Sequence, residues 1–155
     1  MKKTIFITGA AKRIGKEIAL CFSEMGWNII IHYNSSKNDA QVLADEINGT
    51  NPDSAITVQG NLDVKEDVEK VINEVRDAFP TIDLLINNAS TFYPTPIEDI
   101  SEEHWDKLVG SNLKGPLFLI KGLKDKLKES KGSIINITDT NLSKGVANYS
   151  IYSAA

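Results

Sequence analysis

A chain of 155 residues, 41% of them apolar and with no repeat or low-complexity tract, has the size and composition of one globular domain. Its 17 basic and 21 acidic residues are interspersed and leave a net charge of −4, so neither nucleic acid nor an anionic membrane is an implied partner. The single cysteine, Cys21, excludes an intrachain disulfide or a cysteine metal cluster. No apolar stretch reaches the roughly 20 residues that span a bilayer, and no apolar leader precedes the first strand, so a cytoplasmic setting is expected.

Ile5-Phe6-Ile7 reads as a short strand buried on both faces. Thr8-Gly9-Ala10-Ala11-Lys12-Arg13-Ile14-Gly15 then forms a tight turn, and Ile14, Ile18, Cys21, Phe22 and Met25 recur at helical spacing up to Gly26. On this spacing Cys21 is a small core residue. The first turn of such a helix carries unpaired N–H groups and the positive end of the dipole, which suits a diphosphate. Two glycines also suit a strand-to-helix turn for steric reasons alone, so the turn needs the rest of the chain to give it a meaning.

Trp27 to Tyr33 is a second strand, followed by polar Asn34-Ser35-Ser36-Lys37 and a helix carrying Val42, Leu43 and Ile47. Residues 48–53 carry turn chemistry, and Ala55 to Gln59 is a third strand. Asp63 with Glu66 resembles a capping box opening a helix whose apolar face is Val64, Val68, Val71, Ile72, Val75 and Phe79. Ile82 to Ile86 is a fourth strand with Asn87-Asn88-Ala89-Ser90 at its carboxyl end, and residues 91–100 are irregular. Ser101 starts a long helix through Trp105, Leu108, Leu113, Leu117 and Leu123, in which Gly115-Pro116 predicts a kink. Gly132 to Thr138 is a fifth strand, and a Gly/Asn loop leads to Tyr149-Ser-Ile-Tyr152.

Alternating strands and helices imply right-handed crossovers and a doubly wound parallel sheet with helices on both faces. Ligands of such a sheet bind beyond the carboxyl ends of its strands, where the winding reverses. The polar clusters here fall on that edge: Thr8 to Gly15, His32 to Ser36, Asn61, Asn87 to Phe92, and Asp139. Neither His32 nor His104 has the partners of a metal site, and none is expected.

Thr8 to Gly15, Asn87-Asn88-Ala89-Ser90, Asn112 in Asn-Leu-Lys-Gly, and Tyr152-Ser-Ala-Ala together resemble the short-chain dehydrogenase/reductase family, in that order and over the whole chain. Most members have glycine where Arg13 stands and serine where Asp139 stands, thirteen residues before the tyrosine. Arg13 and Asp139, with Asn-Asn-Ala-Ser-Thr-Phe-Tyr-Pro-Thr-Pro at 87–96, resemble the pteridine reductase branch.

The resemblance implies a Rossmann-type α/β domain over residues 1–155 and NADPH-dependent reduction of a pterin or folate. Tyr152 and Asp139 would handle the proton, with Asn112 as a further catalytic residue. Phe92 would stack the planar ring, Ser90 would hydrogen-bond it, and Arg13 would bridge pyrophosphate and substrate. Cofactor contacts would come from Thr8, Gly9, Arg13, Ile14, Gly15, His32, Tyr33, Asn34, Ser35, Ser36, Asn61, Leu62, Asn88, Ala89 and Ser90. The end of the second strand offers donors and no carboxylate, which favours NADP over NAD, although the branch often carries arginine where Ser35 stands. Asn61 stands where the wider family usually has an adenine-binding aspartate. His32 is either a 2′-phosphate contact or a satisfied strand-end histidine, and His104 is expected to be solvated.

A tyrosine, whose unperturbed pKa is about 10, needs a nearby cation if its phenolate is to form at neutral pH. The family supplies a lysine four residues on, and Ala155 is one residue short of that position. The chain is therefore expected to be a domain incomplete after its fifth strand, with that strand a bare sheet edge, little turnover of its own, and a parent that the resemblance makes a homotetramer. Without the resemblance, Asp139 reads more readily as a turn or cap residue than as an acid, and Asn112 as a helix residue bonding its own backbone. Reduction of another carbonyl, such as a 3-oxoacyl thioester or a sugar, dinucleotide binding without catalysis, and a nucleotide-independent partner-binding domain are the competing functions.

Overall fold

The apolar runs of the sequence become five parallel strands, β1 (Thr4–Ile7), β2 (Asn28–Tyr33), β3 (Ala55–Gln59), β4 (Leu84–Asn87) and β5 (Ser133–Asn136), in the order β3-β2-β1-β4-β5. The structure is a computed structural model that describes residues 2–141 and 144–155. The helices are α1 (Arg13–Glu24), α2 (Lys37–Thr50), α3 (Lys65–Ala78), α4 (Glu102–Val109), α5 (Gly115–Glu129) and the short α6 (Ser150–Ala154). Winding runs outward from β1 to β3 and then returns to place β4 on the other side of β1, with Phe6 opposite Leu85 and Ile7 opposite Ile86. The reversal opens a crevice beyond the carboxyl ends of β1 and β4, the place where a doubly wound sheet takes its ligand.

Alternate residues of each strand feed two cores. Ile5, Ile7, Ile29, Ile31 and Ile86 pack with Ala19, Leu43 and Ile47 on the side of α1 and α2. Phe6, Ile30, Val58 and Leu85 pack with Val71, Val75, Leu119 and Leu123 on the side of α3 and α5. Burial on both faces is why the strands read as continuous apolar runs rather than as alternating ones.

The elements correct the sequence reading in several places. Cys21 is exposed, not core, and so are Ile14 and Met25. The inward stripe of α1 is Gly15, Ala19 and Ser23, flanked by Ile18 and Phe22, because the missing side chain at Gly15 brings that edge of the helix against the turn. Helix α2 continues through Asn48-Gly49-Thr50, and the Asn48 side-chain oxygen accepts the N–H groups of Ser54 and Ala55, so the turn starts at Asn51. Asp63 caps nothing: α3 starts at Lys65 after Val64, and the Asp67 carboxylate instead accepts the Asn61 N–H at 2.7 Å.

Ser101 does cap α4, its hydroxyl accepting the His104 N–H at 3.2 Å. The expected proline kink takes the form of one π-turn, Gly110–Lys114, between α4 and α5, with the Gly115 N–H bonded to the Gly110 carbonyl. Pro116, which has no N–H to donate, follows directly on that π-turn at the start of α5. Residues 91–100 are not wholly irregular either. Buried Thr95 pairs with Tyr149 in a parallel bridge, donates its N–H to the Asn148 carbonyl, and accepts the Ile151 N–H on its hydroxyl. β5, the last strand in the order of this sheet, has all four residues exposed, Ile134 and Ile135 among them.

Candidate active site

The crevice is shaped first by what its glycines leave out. Gly9 has φ +63°, and a Cβ there would meet Ala89 Cα at 2.9 Å. At Gly15 a Cβ would lie 2.5 Å from the Gly9 carbonyl oxygen and 2.8 Å from Asn88 Nδ2. Arg13 too has a left-handed backbone, φ +51°, which gives a physical reason for the glycine that most proteins of the resembled family carry there. Helix α1 begins with neither a side-chain cap nor an acidic residue in its first turn, so its positive end opens on the crevice.

Thr8 and Asn88 hold the turn, and Asn88 also lines the opening above it. The Thr8 hydroxyl accepts the N–H groups of Asn88 (2.9 Å) and Ala89 (3.0 Å), and Asn88 Nδ2 donates to the carbonyls of Thr8 (2.9 Å) and Gly9 (3.1 Å). His32 is the third clip. Its Nδ1 accepts the Gly9 N–H at 3.1 Å, which makes Nε2–H the donor to the Gly60 carbonyl at 3.0 Å. Burial lowers its pKa to about 4. A neutral, enclosed imidazole with both nitrogens engaged has nothing left for a phosphate, which decides the histidine alternative in favour of the strand-end role.

The opening over this turn has a volume of about 390 Å³ and reaches Arg13, Ile14, His32, Asn34, Asn61 and Leu62. Asn34 and Ser35 are exposed and Ser36 half-buried at the end of β2, where three uncharged polar side chains stand together without a carboxylate. Tyr33 is corrected: its ring belongs to the core under α1 and α2, so it presents only backbone to that end. Leu62 likewise is core, with one edge in the opening. Asn61 faces Asn34 across 3.5 Å.

A second cleft of about 310 Å³ adjoins the first along Ala89 and Ser90. Tyr152, Asp139, Ser90 and Asn112 line it together with an apolar wall of Leu113, Pro116, Leu117, Ile120 and Ile137. The Tyr152 hydroxyl donates to Asp139 Oδ2 at 3.1 Å. Burial, that hydrogen bond and the carboxylate charge all raise the Tyr152 pKa, against a smaller opposing effect of Ser90. Asp139 is held below its usual value by the Asn141 N–H, then by Tyr152. Within the described residues the pair thus favours phenol plus carboxylate, the reverse of the phenolate expected from the family's lysine.

The Asn112 side chain, in the π-turn, accepts the neighbouring Ser111 hydroxyl on Oδ1 at 3.0 Å and otherwise reaches across to another segment. Its Oδ1 accepts the Thr91 N–H at 2.8 Å and its Nδ2 donates to the Thr91 carbonyl at 2.9 Å, the double bond pattern of a strand pair. The residue fixes the loop that carries Phe92. The Phe92 ring is half exposed, stacks on Tyr149 (4.5 Å, 16°) and meets Tyr152 edge-on (4.7 Å, 79°). Tyr149 as the aromatic neighbour of Phe92 was not foreseen, since 57 residues of sequence separate them and only the Thr95 bridge joins their segments. His104 is not fully solvated: it is half-buried with its ring edge-on to Tyr93. Among the described residues no group of three or more His, Cys, Asp or Glu side chains could hold a metal ion, and no helix is long and apolar enough to cross a membrane.

Residues 3–155 match the family model described as short chain dehydrogenase. The chain is 33% identical over 139 residues to the 3-oxoacyl-(acyl-carrier-protein) reductase FabG of Staphylococcus epidermidis, covering 89% of this chain and 57% of that one. It is 34% identical to an NAD-dependent glycerol dehydrogenase of Listeria innocua (87% and 52% covered) and 32% identical to pteridine reductase 1 of Leishmania tarentolae (96% and 65% covered). The chain thus spans little more than half the length of these curated relatives.

Proposed function

The chain belongs to the short-chain dehydrogenase family, and from that premise we propose that the whole protein is an NADPH-dependent reductase acting on a pterin or folate. The observation that carries the reading is the Tyr152–Asp139 contact at 3.1 Å, with the half-exposed ring of Phe92 edge-on to Tyr152 at 4.7 Å. Serine would serve a simple carbonyl at position 139. An aspartate bonded to the tyrosine, next to an aromatic face, suits a flat nitrogen heterocycle that must be both stacked and protonated.

The crevice fits a dinucleotide because Gly9 and Gly15, which have no room for a side chain, let the turn pack tightly against Ala89 and Asn88 while the uncapped start of α1 faces the opening. Arg13, Ile14 and Gly15 would lie along the pyrophosphate. Asn34, Ser35 and Ser36, none of them acidic, would take the ribose end and a 2′-phosphate. NADPH supplies a hydride when bound. Tyr152, kept protonated, is the group that can hand a proton to the reduced ring. Asp139 orients that hydroxyl, and Asn112 holds the Phe92 loop in place through Thr91.

One observation favours a second reading. The apolar wall of Leu113, Pro116, Leu117, Ile120 and Ile137 would also accept the acyl chain of a 3-oxoacyl thioester. Loss of NADPH absorbance, followed for the whole protein with a dihydropterin, with folate and with a 3-oxoacyl thioester, separates the two. Pterin-dependent oxidation is expected, and turnover with the thioester alone would overturn the proposal. Among the described residues no cation acts on the Tyr152 phenol, and the 155-residue chain by itself is expected to turn over slowly or not at all.

A further inference from the structure

Asp139 can act on Tyr152 only if its carboxylate is held in one orientation, and the residue that holds it is two positions further on. The Asn141 N–H donates to Asp139 Oδ1 at 2.7 Å, and the Asn141 side-chain Nδ2 donates to the same oxygen at 2.9 Å. Oδ2 is left to accept the Tyr152 hydroxyl at 3.1 Å. The Asn141 carbonyl in turn accepts the N–H groups of Lys144 and Gly145, so the residue is anchored at both of its backbone groups.

We propose that Asn141 is a positioning residue for the acid–base pair: by claiming Oδ1 with two donors it fixes the Asp139 carboxylate so that Oδ2 faces the Tyr152 phenol. The inference rests on the proposed roles of Tyr152 and Asp139. A half-buried aspartate three residues past the end of β5 can otherwise rotate about χ1 and χ2, and each rotation that turned Oδ2 away would leave the phenol without its acceptor. Any residue but proline at 141 supplies the backbone donor, but the second donor on the same oxygen requires an amide of this length. Tyr152 on α6 is the titratable group that faces Asp139 from a packed element.

The test is an NMR titration of the whole protein, observing the Asp139 carboxyl carbon and the Tyr152 ring carbon that bears the hydroxyl, in wild type, Asn141→Ala and Asn141→Asp. Asn141→Ala keeps both backbone anchors and loses one donor. Asn141→Asp keeps the shape and replaces that donor by a like charge. The Asp139 midpoint is expected to rise from wild type to Ala to Asp, while the Tyr152 midpoint falls in the Ala variant as the phenol loses its acceptor. The kcat/KM of NADPH oxidation should fall roughly threefold to tenfold in the Ala variant, the net contribution of one hydrogen-bond donor. Unchanged Asp139 and Tyr152 midpoints in both variants would overturn the proposal. Ordered midpoints in a protein that reduces no pterin would support the positioning and refute the reductase reading instead.

Discussion

Replacing His32 by leucine tests whether the end of β2 and the glycine turn are held by a neutral imidazole. In the fold the imidazole value drops from 6.5 to about 4 because the ring is buried with both nitrogens engaged. As pH falls below 6.5 the unfolded chain takes up this proton and the folded chain does not. The stabilisation is therefore complete above pH 6.5 and is lost progressively down to pH 4. At about 1.4 kcal/mol per pH unit, the loss over that window is about 3 kcal/mol. Below it the ring must bind a proton on Nδ1, and the Gly9 N–H then loses its acceptor.

In the leucine variant the Gly9 N–H and the Gly60 carbonyl are stranded, at about 1–3 kcal/mol each, partly offset by apolar burial. Urea unfolding of both proteins at about pH 7.5 and about pH 4.5 reads the two effects apart, since carboxylate titrations are common to both and cancel in the difference. The leucine variant should be the weaker by roughly 2–4 kcal/mol at the higher pH, and the gap should close by about 2–3 kcal/mol at the lower. An equal gap at both values would refute the neutral, doubly bonded histidine.

Gly15→Ala should lower stability by about 1–3 kcal/mol, because its Cβ meets backbone at Gly9 and Ala10 that cannot move without opening the turn. Gly49→Ala, in the last turn of α2 with open space around it, should raise stability by about 0.5–1 kcal/mol. Thermal melts of the two variants check the contrast. Asn112→Ala removes both bonds to Thr91, and about 1–2 kcal/mol of stability with them, and should speed amide exchange at Thr91. Phe92→Ala should weaken pterin binding by about 0.5–1.5 kcal/mol beyond lost area while leaving NADPH affinity unchanged, as fluorescence titration of each ligand would show.

Strand positions, helix positions and the chemical character of the crevice were legible in the sequence, because period and turn chemistry are local. Ile5-Phe6-Ile7 could only be a doubly buried strand, Ser101 could cap a helix without help, and Gly9 and Gly15 announced a backbone that approaches something closely. What they approach was not legible. Gly15 clears room for the Gly9 carbonyl and the Asn88 amide, 73 residues away, and that contact also rotates α1 so that Cys21 and Met25 face water.

The roles of the polar residues were decided by tertiary structure. His32 was equally a ligand or a clip until its two nitrogens met Gly9 and Gly60. Asn112 became a clamp on Thr91 only because the π-turn before Pro116 aims it off its own helix. The spacing of Asp139 and Tyr152 told that they could form a pair, while the direction of the proton between them depends on burial and on Asn141, quantities that no local pattern encodes. Sequence alone determined which groups stand at the carboxyl edge of the sheet. Long-range contacts determined which of them spend their hydrogen bonds on the fold and which remain free for chemistry, because a polar group can satisfy only one partner set and that set is chosen by the folded neighbourhood.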